Sequence, residues 1–182
     1  MKKVVLAALL ALGLGAAAPT ALHAQTQAKL NAARNQTVMA FLIQSSPEYA
    51  TLVKSINAAA LEKTFAGQGS YTVFAPTNKA FESLPPGQLD FLLKPENIDS
   101  LQKILTYHVI SGPQTVAEIH EKIKQAGGEY TAPTIGEGGN VTFLVEGNNV
   151  VIKDAHGFRS VLLPPVKTTN GIIYRMDKIL IP

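Results

Sequence analysis

The chain changes its hydrophobic period once, near Gly112, and that change restricts the available folds more than any other feature. Before it, apolar residues recur at helical spacing. Tyr49, Leu52, Val53 and Ile56 follow this rule, as do Ile98, Leu101, Ile104 and Leu105. Residues three and four apart share one face of a helix, so each set forms a stripe that needs an apolar partner. After Gly112 one more helical stretch, Thr115 to Gln125, precedes a run of short strand-like segments separated by turns. These are Tyr130–Ile135, Asn140–Glu146, Val150–Lys153, Ser160–Leu163, Ile172–Met176 and Lys178–Ile181. Alternation with period two belongs to strands. A helix-rich half followed by a strand-rich half points to the α+β class, with helices packed on one side of a β-sandwich or wedge.

Local signals place the boundaries. Thr37 is a natural N-cap for Val38 to Gln44. Ser46-Pro47-Glu48 reads as a capping serine, a first-turn proline and a first-turn acid. Short helices are expected over Ala58–Phe65 and Asn78–Leu84 and around Leu89 to Leu93, and a longer one over Asn97–His108. Tyr71 to Ala75 is a β-like run closed by Pro76. Turns fall at Gly136–Gly139, at Gly147-Asn148-Asn149 and at His156-Gly157. Pro164-Pro165 interrupts strand pairing, because proline lacks the N–H a ladder requires. No internal repeat appears, so the folded part is expected to be one domain over residues 37–182.

The N-terminus bears on compartment. Lys2 and Lys3 precede an uncharged stretch from Val4 to Ala18 and a small-residue region ending at Ala24. This is the layout of a signal peptide over residues 1–24, followed by a flexible tail over 25–36. The apolar run falls short of the roughly 20 residues that span a bilayer. The expected product is periplasmic or secreted, with no membrane span after cleavage. The whole chain carries a formal charge of +3. The leader removes two lysines and no acid, which leaves the remainder near neutrality. A near-neutral surface lacks the clustered basic face that nucleic acid requires. There is no cysteine. That excludes disulfides, thiolate chemistry and acylation of a leading cysteine.

The residues of catalysis are not arranged for it. No Gly-x-Ser-x-Gly elbow occurs. Gly136-Glu137-Gly138-Gly139 is not followed by a lysine-bearing helix, so it reads as a hairpin loop and not a phosphate cradle. His108, His120 and His156 share no spacing that would make a metal pair on one element. Asp154 and His156 lie close in sequence, but in a segment with turn chemistry. The expectation is a non-enzyme without metal or other cofactor.

Three segments carry a resemblance. They are Thr72-Val73-Phe74-Ala75-Pro76-Thr77-Asn78-Lys79-Ala80-Phe81, then Leu105-Thr106-Tyr107-His108-Val109-Ile110, then the closing stretch Thr169 to Pro182. In order and spacing they resemble the signatures of the fasciclin-like domain family. Their physics is also legible directly. Thr77 is placed to cap a helix from Asn78, with Phe81 reaching back to the core. Asn170-Gly171 offers the left-handed turn a hairpin uses. Ile172, Tyr174 and Met176 share one strand face, and Ile173 and Arg175 the other. His108 at a helix C-terminus suits the dipole and a structural imidazole.

The resemblance implies cell adhesion: a binding protein that recognises a protein or glycan at the cell surface or in extracellular matrix. Some members of the family carry carotenoids. The alternative is therefore a carrier of an apolar small ligand, held in a groove lined by residues such as Phe81, Ile173 and Tyr174. The candidate contact residues are Thr77, Asn78, Phe81, Tyr107, His108, Asn170, Ile173 and Tyr174. The Arg-Gly-Asp tripeptide and the Asp-Ile pair of animal adhesive members are missing, so an integrin partner is not implied.

Overall fold

A computed structural model describes residues 36–45, 47–67 and 69–182. The expected signal segment, and the tail up to residue 35, lie outside the described residues. The first helix, α1 (Val38–Gln44), is capped as expected: the Thr37 hydroxyl accepts from the Ala40 N–H at 3.3 Å. Helices α2 (Ala50–Ala58) and α3 (Glu62–Ala66) follow, then strand β1 (Tyr71–Pro76). Helices α4 (Asn78–Glu82) and α5 (Gln88–Leu92), a 3-10 turn at Pro95–Asn97, and α6 (Ile98–Tyr107) lead to strand β2 (Val109–Ser111). Helix α7 (Val116–Gln125) opens the second half. Strands β3 (Glu129–Pro133), β4 (Asn140–Glu146), β5 (Asn149–Lys153), β6 (Arg159–Val161), β7 (Val166–Thr168) and β8 (Gly171–Met176) complete it.

The strands form two four-stranded sheets, ordered β2-β1-β8-β7 and β3-β4-β5-β6. In the first, β1 and β8 run parallel from Tyr71↔Gly171 to Pro76↔Met176, and both flanking pairs are antiparallel. This central pair is buried on both faces, which is why the alternation in β8 does not separate apolar from polar residues. Val73, Ala75 and Ile173 face a core built with α1 to α6. Phe74, Ile172, Tyr174 and Met176 face a second core, shared with Val141, Phe143 and Ile152 of the other sheet. Phe74 stacks on Tyr174 with ring centroids 5.8 Å apart and meets Phe143 at 5.6 Å. The α+β sandwich with helices over one sheet matches the expectation. Helix α7 is the exception: Ile119 and Ile123 pack it into the second core.

Several local expectations need correction. Residues 178–181 form no strand. The N–H groups of Leu180 and Ile181 go to side chains, His108 Nε2 at 2.9 Å and Asp154 Oδ2 at 3.1 Å, and so no ladder forms. Strands β2 and β7 have three residues each, too few for alternation to register. The turn between β7 and β8 is Thr169-Asn170, and neither residue has positive φ. Gly171 sits in the strand, where a Cβ would lie 2.3 Å from the Tyr71 carbonyl oxygen. It permits the close approach of β8 to β1; the turn does not need it. Helix α2 starts at Ala50, later than Ser46-Pro47-Glu48 suggested, and Ser46 lies outside the described residues.

Candidate functional site

The three signature segments meet in the sheet β2-β1-β8-β7. Phe74 N–H donates to the His108 carbonyl at 2.8 Å, and Tyr71 N–H to the Asn170 carbonyl at 3.1 Å. Convergence does not expose them. Tyr107, Ile173 and Tyr174 are no more than 1% exposed, and His108 and Asn170 are also buried.

Each buried polar side chain among them has structural partners. The Tyr107 hydroxyl donates to the Asn140 carbonyl at 2.7 Å and accepts from the Ala155 N–H at 3.0 Å. Burial is the main force raising its pKa. Tyr174 donates to the Gln114 carbonyl at 2.9 Å, and burial raises its pKa too. We expect Tyr174→Phe to cost about 1 kcal/mol in a urea titration, because the Gln114 carbonyl loses its donor. No change would mean that this carbonyl finds another partner.

His108 uses both ring nitrogens. Nδ1–H donates to the Ile104 carbonyl at 2.8 Å, and Nε2 accepts from the Leu180 N–H. The ring is therefore neutral, and burial holds its pKa down at about 4. Asn170 accepts from the Val38 N–H at 2.7 Å and donates to the carbonyls of Phe65 and Gly67. Ile173 lies in the core beneath α1 to α6.

Asn78 has a role that local sequence did not suggest. Its Oδ1 accepts from the Thr51 N–H at 3.0 Å, and its Nδ2 donates to the Pro47 carbonyl. It thus caps α2 from a distant part of the chain, supplying an acceptor that a helix N-terminus lacks. Thr77 stands at the N-cap of α4, but its hydroxyl makes no capping bond; its carbonyl accepts from Ala80 N–H.

Two concave regions border these residues. The first is an open groove of about 770 Å³, with charged, polar and apolar residues in its walls, beside the outer ends of the first and last signatures. Thr77, Asn78, Lys79 and Glu82 line one side, and Arg175, Met176 and Asp177 the other. Glu48 enters it and pairs with Arg175 at 3.1 Å. Both partners of that ion pair are about half exposed, so it contributes little to stability. The second region is an apolar cavity of about 270 Å³, lined by Phe81, Leu84, Leu89, Leu92, Leu101, Ile104, Leu105, Ile179 and Ile181, with Pro76 and His108 at its base. Phe81 lines it as expected. Ile173 and Tyr174 do not, because both point into closed cores. Sequence reading missed Ile179 and Ile181, since it assigned them to a strand.

The turn at Asp154 is structural. Its Oδ1 accepts from the His156 and Phe158 N–H groups, both at 2.9 Å, and its Oδ2 from Ile181. Among the described residues, no group of three or more His, Cys, Asp or Glu is placed to hold a metal ion. Among the same residues, no helix is long and apolar enough to cross a membrane.

Comparison with known proteins agrees with this architecture. The family model for the fasciclin domain matches residues 47–182. Protein sll1483 of Synechocystis is 40% identical over 134 residues, 74% of this chain and 67% of that protein. Immunogenic protein MPB70 of Mycobacterium bovis is 31% identical over 152 residues, covering 81% of this chain and 70% of that one. Rabbit transforming growth factor-beta-induced protein ig-h3 is 33% identical over 146 residues, but only 19% of its length is matched. Among solved structures, a FAS1 domain pair from the insect cell adhesion molecule Fasciclin I superposes with a TM-score of 0.69 at 21% identity. That match covers 82% of this chain and about half, 52%, of the insect chain, and it speaks to the fold alone. The chain belongs to the fasciclin domain family.

Proposed function

We propose that this is a binding module of the adhesion type, periplasmic or secreted, that recognises a protein or glycan partner and performs no chemistry of its own. The observation that supports this most is the open, charge-bearing groove between Thr77–Glu82 and Arg175–Asp177. It is wide, it carries charges of both signs, and two signatures meet there through the Thr77 N–H and the Met176 carbonyl, 3.0 Å apart. Mixed charge in an open groove suits a hydrated, polar partner surface. The buried set Tyr107, His108, Asn170, Ile173 and Tyr174 acts in this reading by shaping the groove's support. Thr77 and Asn78 remain contact candidates at its wall.

Glycan-array and envelope-extract binding tests the proposal. With Lys79→Glu and Arg175→Glu combined, bound partner falls by about tenfold, as expected when complementary charges become repulsive. Binding equal to that of the unaltered protein would place recognition on another face.

A second reading, carriage of an apolar small ligand, is supported by the cavity at Phe81. Its volume of about 270 Å³ lies just below the usual range for ligand pockets. It is too small to enclose a whole carotenoid.

A further inference from the structure

The second reading can be carried further, because the wall of the Phe81 cavity differs in kind on one side. Helices α4, α5 and α6 form most of it, and they are held by their own backbone bonds and by packing. The remaining side is residues 179–182, which belong to no helix or strand. Ile179 and Ile181 contribute to the cavity, while Leu180 between them anchors in the sandwich core. Besides the burial of Leu180, only point contacts hold this segment. Leu180 N–H reaches His108 Nε2, Ile181 N–H reaches Asp154 Oδ2, and the Pro182 carbonyl lies 3.3 Å from His156 Nε2. A segment held by a few side-chain bonds opens at lower cost than one held in a ladder.

The cavity also specifies its occupant by charge complementarity. No charged side chain lines it. Its polar side chains are Gln88, exposed at the rim, and His108, whose two nitrogens are already engaged. An enclosed group must therefore be uncharged and apolar, since a buried charge without a partner is strongly disfavoured. A polar end can stay at the Gln88 rim. A methylene takes up about as much space as a liquid water, ~30 Å³, so the space holds roughly nine carbons.

We propose that residues 179–182 are a strap that closes over the tail of a medium-chain aliphatic amphiphile in this cavity, with His108 and Asp154 as its latch. The strap proposal rests on the carrier reading. Opening exchanges Ile179 and Ile181 from the cavity wall to solvent, and the bound tail restores their apolar contact on closure. Chain length is limited by the buried wall of the cavity, where Pro76, Leu101, Leu105 and His108 are all closed off from solvent. Asp154 is the titratable side chain that faces His108. Helix α6 presents the Ile104 carbonyl to its ring and the strap presents the Leu180 N–H.

The test uses fluorescence of phenylnaphthylamine with the full folded chain, displaced by hexanoate, decanoate and hexadecanoate. Decanoate is expected to displace the dye at about two-hundredfold lower concentration than hexanoate, with no further gain for hexadecanoate. Leu89→Trp, at the half-buried rim, is expected to fill the entrance and weaken dye binding by about tenfold. Asp154→Asn and Ile181→Ala loosen the strap and are expected to speed dye release by about fivefold. Ile181 is 39% exposed, so its replacement leaves the fold intact even if the Asp154 turn does not tolerate change. Absence of dye binding in the unaltered protein overturns the carrier reading and the strap together. Dye binding indifferent to Leu89→Trp puts the ligand elsewhere and overturns both for this cavity. Binding weakened by Leu89→Trp, with release unchanged in both strap variants, overturns the strap and leaves the carrier standing.

Discussion

Asn170→Ala is expected to lower the unfolding free energy by about 4 kcal/mol. Asn170 is 7% exposed, and its amide joins three separate segments. Oδ1 takes the Val38 N–H at the start of α1, and Nδ2 donates to the carbonyls of Phe65 and Gly67 at the end of α3, at 3.0 Å and 2.7 Å. A helix start and a helix end each leave backbone groups without intrahelical partners. Asn170 supplies an acceptor to one and donors to the other, and alanine supplies neither. Two buried groups and the part-buried Gly67 carbonyl then lack partners, and each buried one costs more than the hydrogen bond was worth on balance. Asn170→Asp keeps the acceptor but turns a carboxylate toward two carbonyl oxygens, so it should not rescue the loss. Urea unfolding followed by circular dichroism measures the effect. A loss under about 1 kcal/mol would show that α1 and α3 are tied down by packing alone.

The second large effect is acid sensitivity centred on His108. Its folded pKa is about 4, lowered by burial from an ordinary value of 6.5. The unfolded chain therefore binds a proton at His108 between these values and the folded chain does not. Stability from this group is fully present above pH 6.5 and is lost as pH falls toward 4. The expected loss is about 3 kcal/mol across that window, or roughly 1.4 kcal/mol per pH unit along its steep part. Protonation would also convert Nε2 from an acceptor to a donor facing the Leu180 N–H. Unfolding titrations at pH 7, 6, 5 and 4 on the unaltered protein and on His108→Gln isolate the contribution. If both show the same slope through this window, the proton is taken up elsewhere.

Much of the fold follows from local rules. The helical spacing of Leu101 and Leu105 in α6, the alternation in β4 and the short apolar run Val150-Val151-Ile152 of β5 identify those elements without a neighbour in view. The two-residue turn Gly147-Asn148 is equally explicit, with Gly147 at φ +60°. The N-cap at Thr37 was readable for the same reason, since donor and acceptor are three residues apart. The candidate site was less readable. Its residues were chosen from the three signatures, and those do converge. Their burial was not visible, because a signature does not reveal whether a side chain meets a partner or the protein's own interior. Ile173 and Tyr174 look alike in the sequence, yet they enter two different cores.

The order and type of most elements were set by hydrophobic period, caps and turn residues within a few positions of one another. Such signals act over short distances along the chain, and that is why they can be read from it. Tertiary structure alone decided the cap of α2 by Asn78, the close approach at Gly171, the ladderless course of residues 178–181 and the cavity beneath Phe81. In each case a backbone group or an apolar surface finds its partner far away in sequence. What satisfies it is set by which segments the two sheets and the helix layer bring into contact.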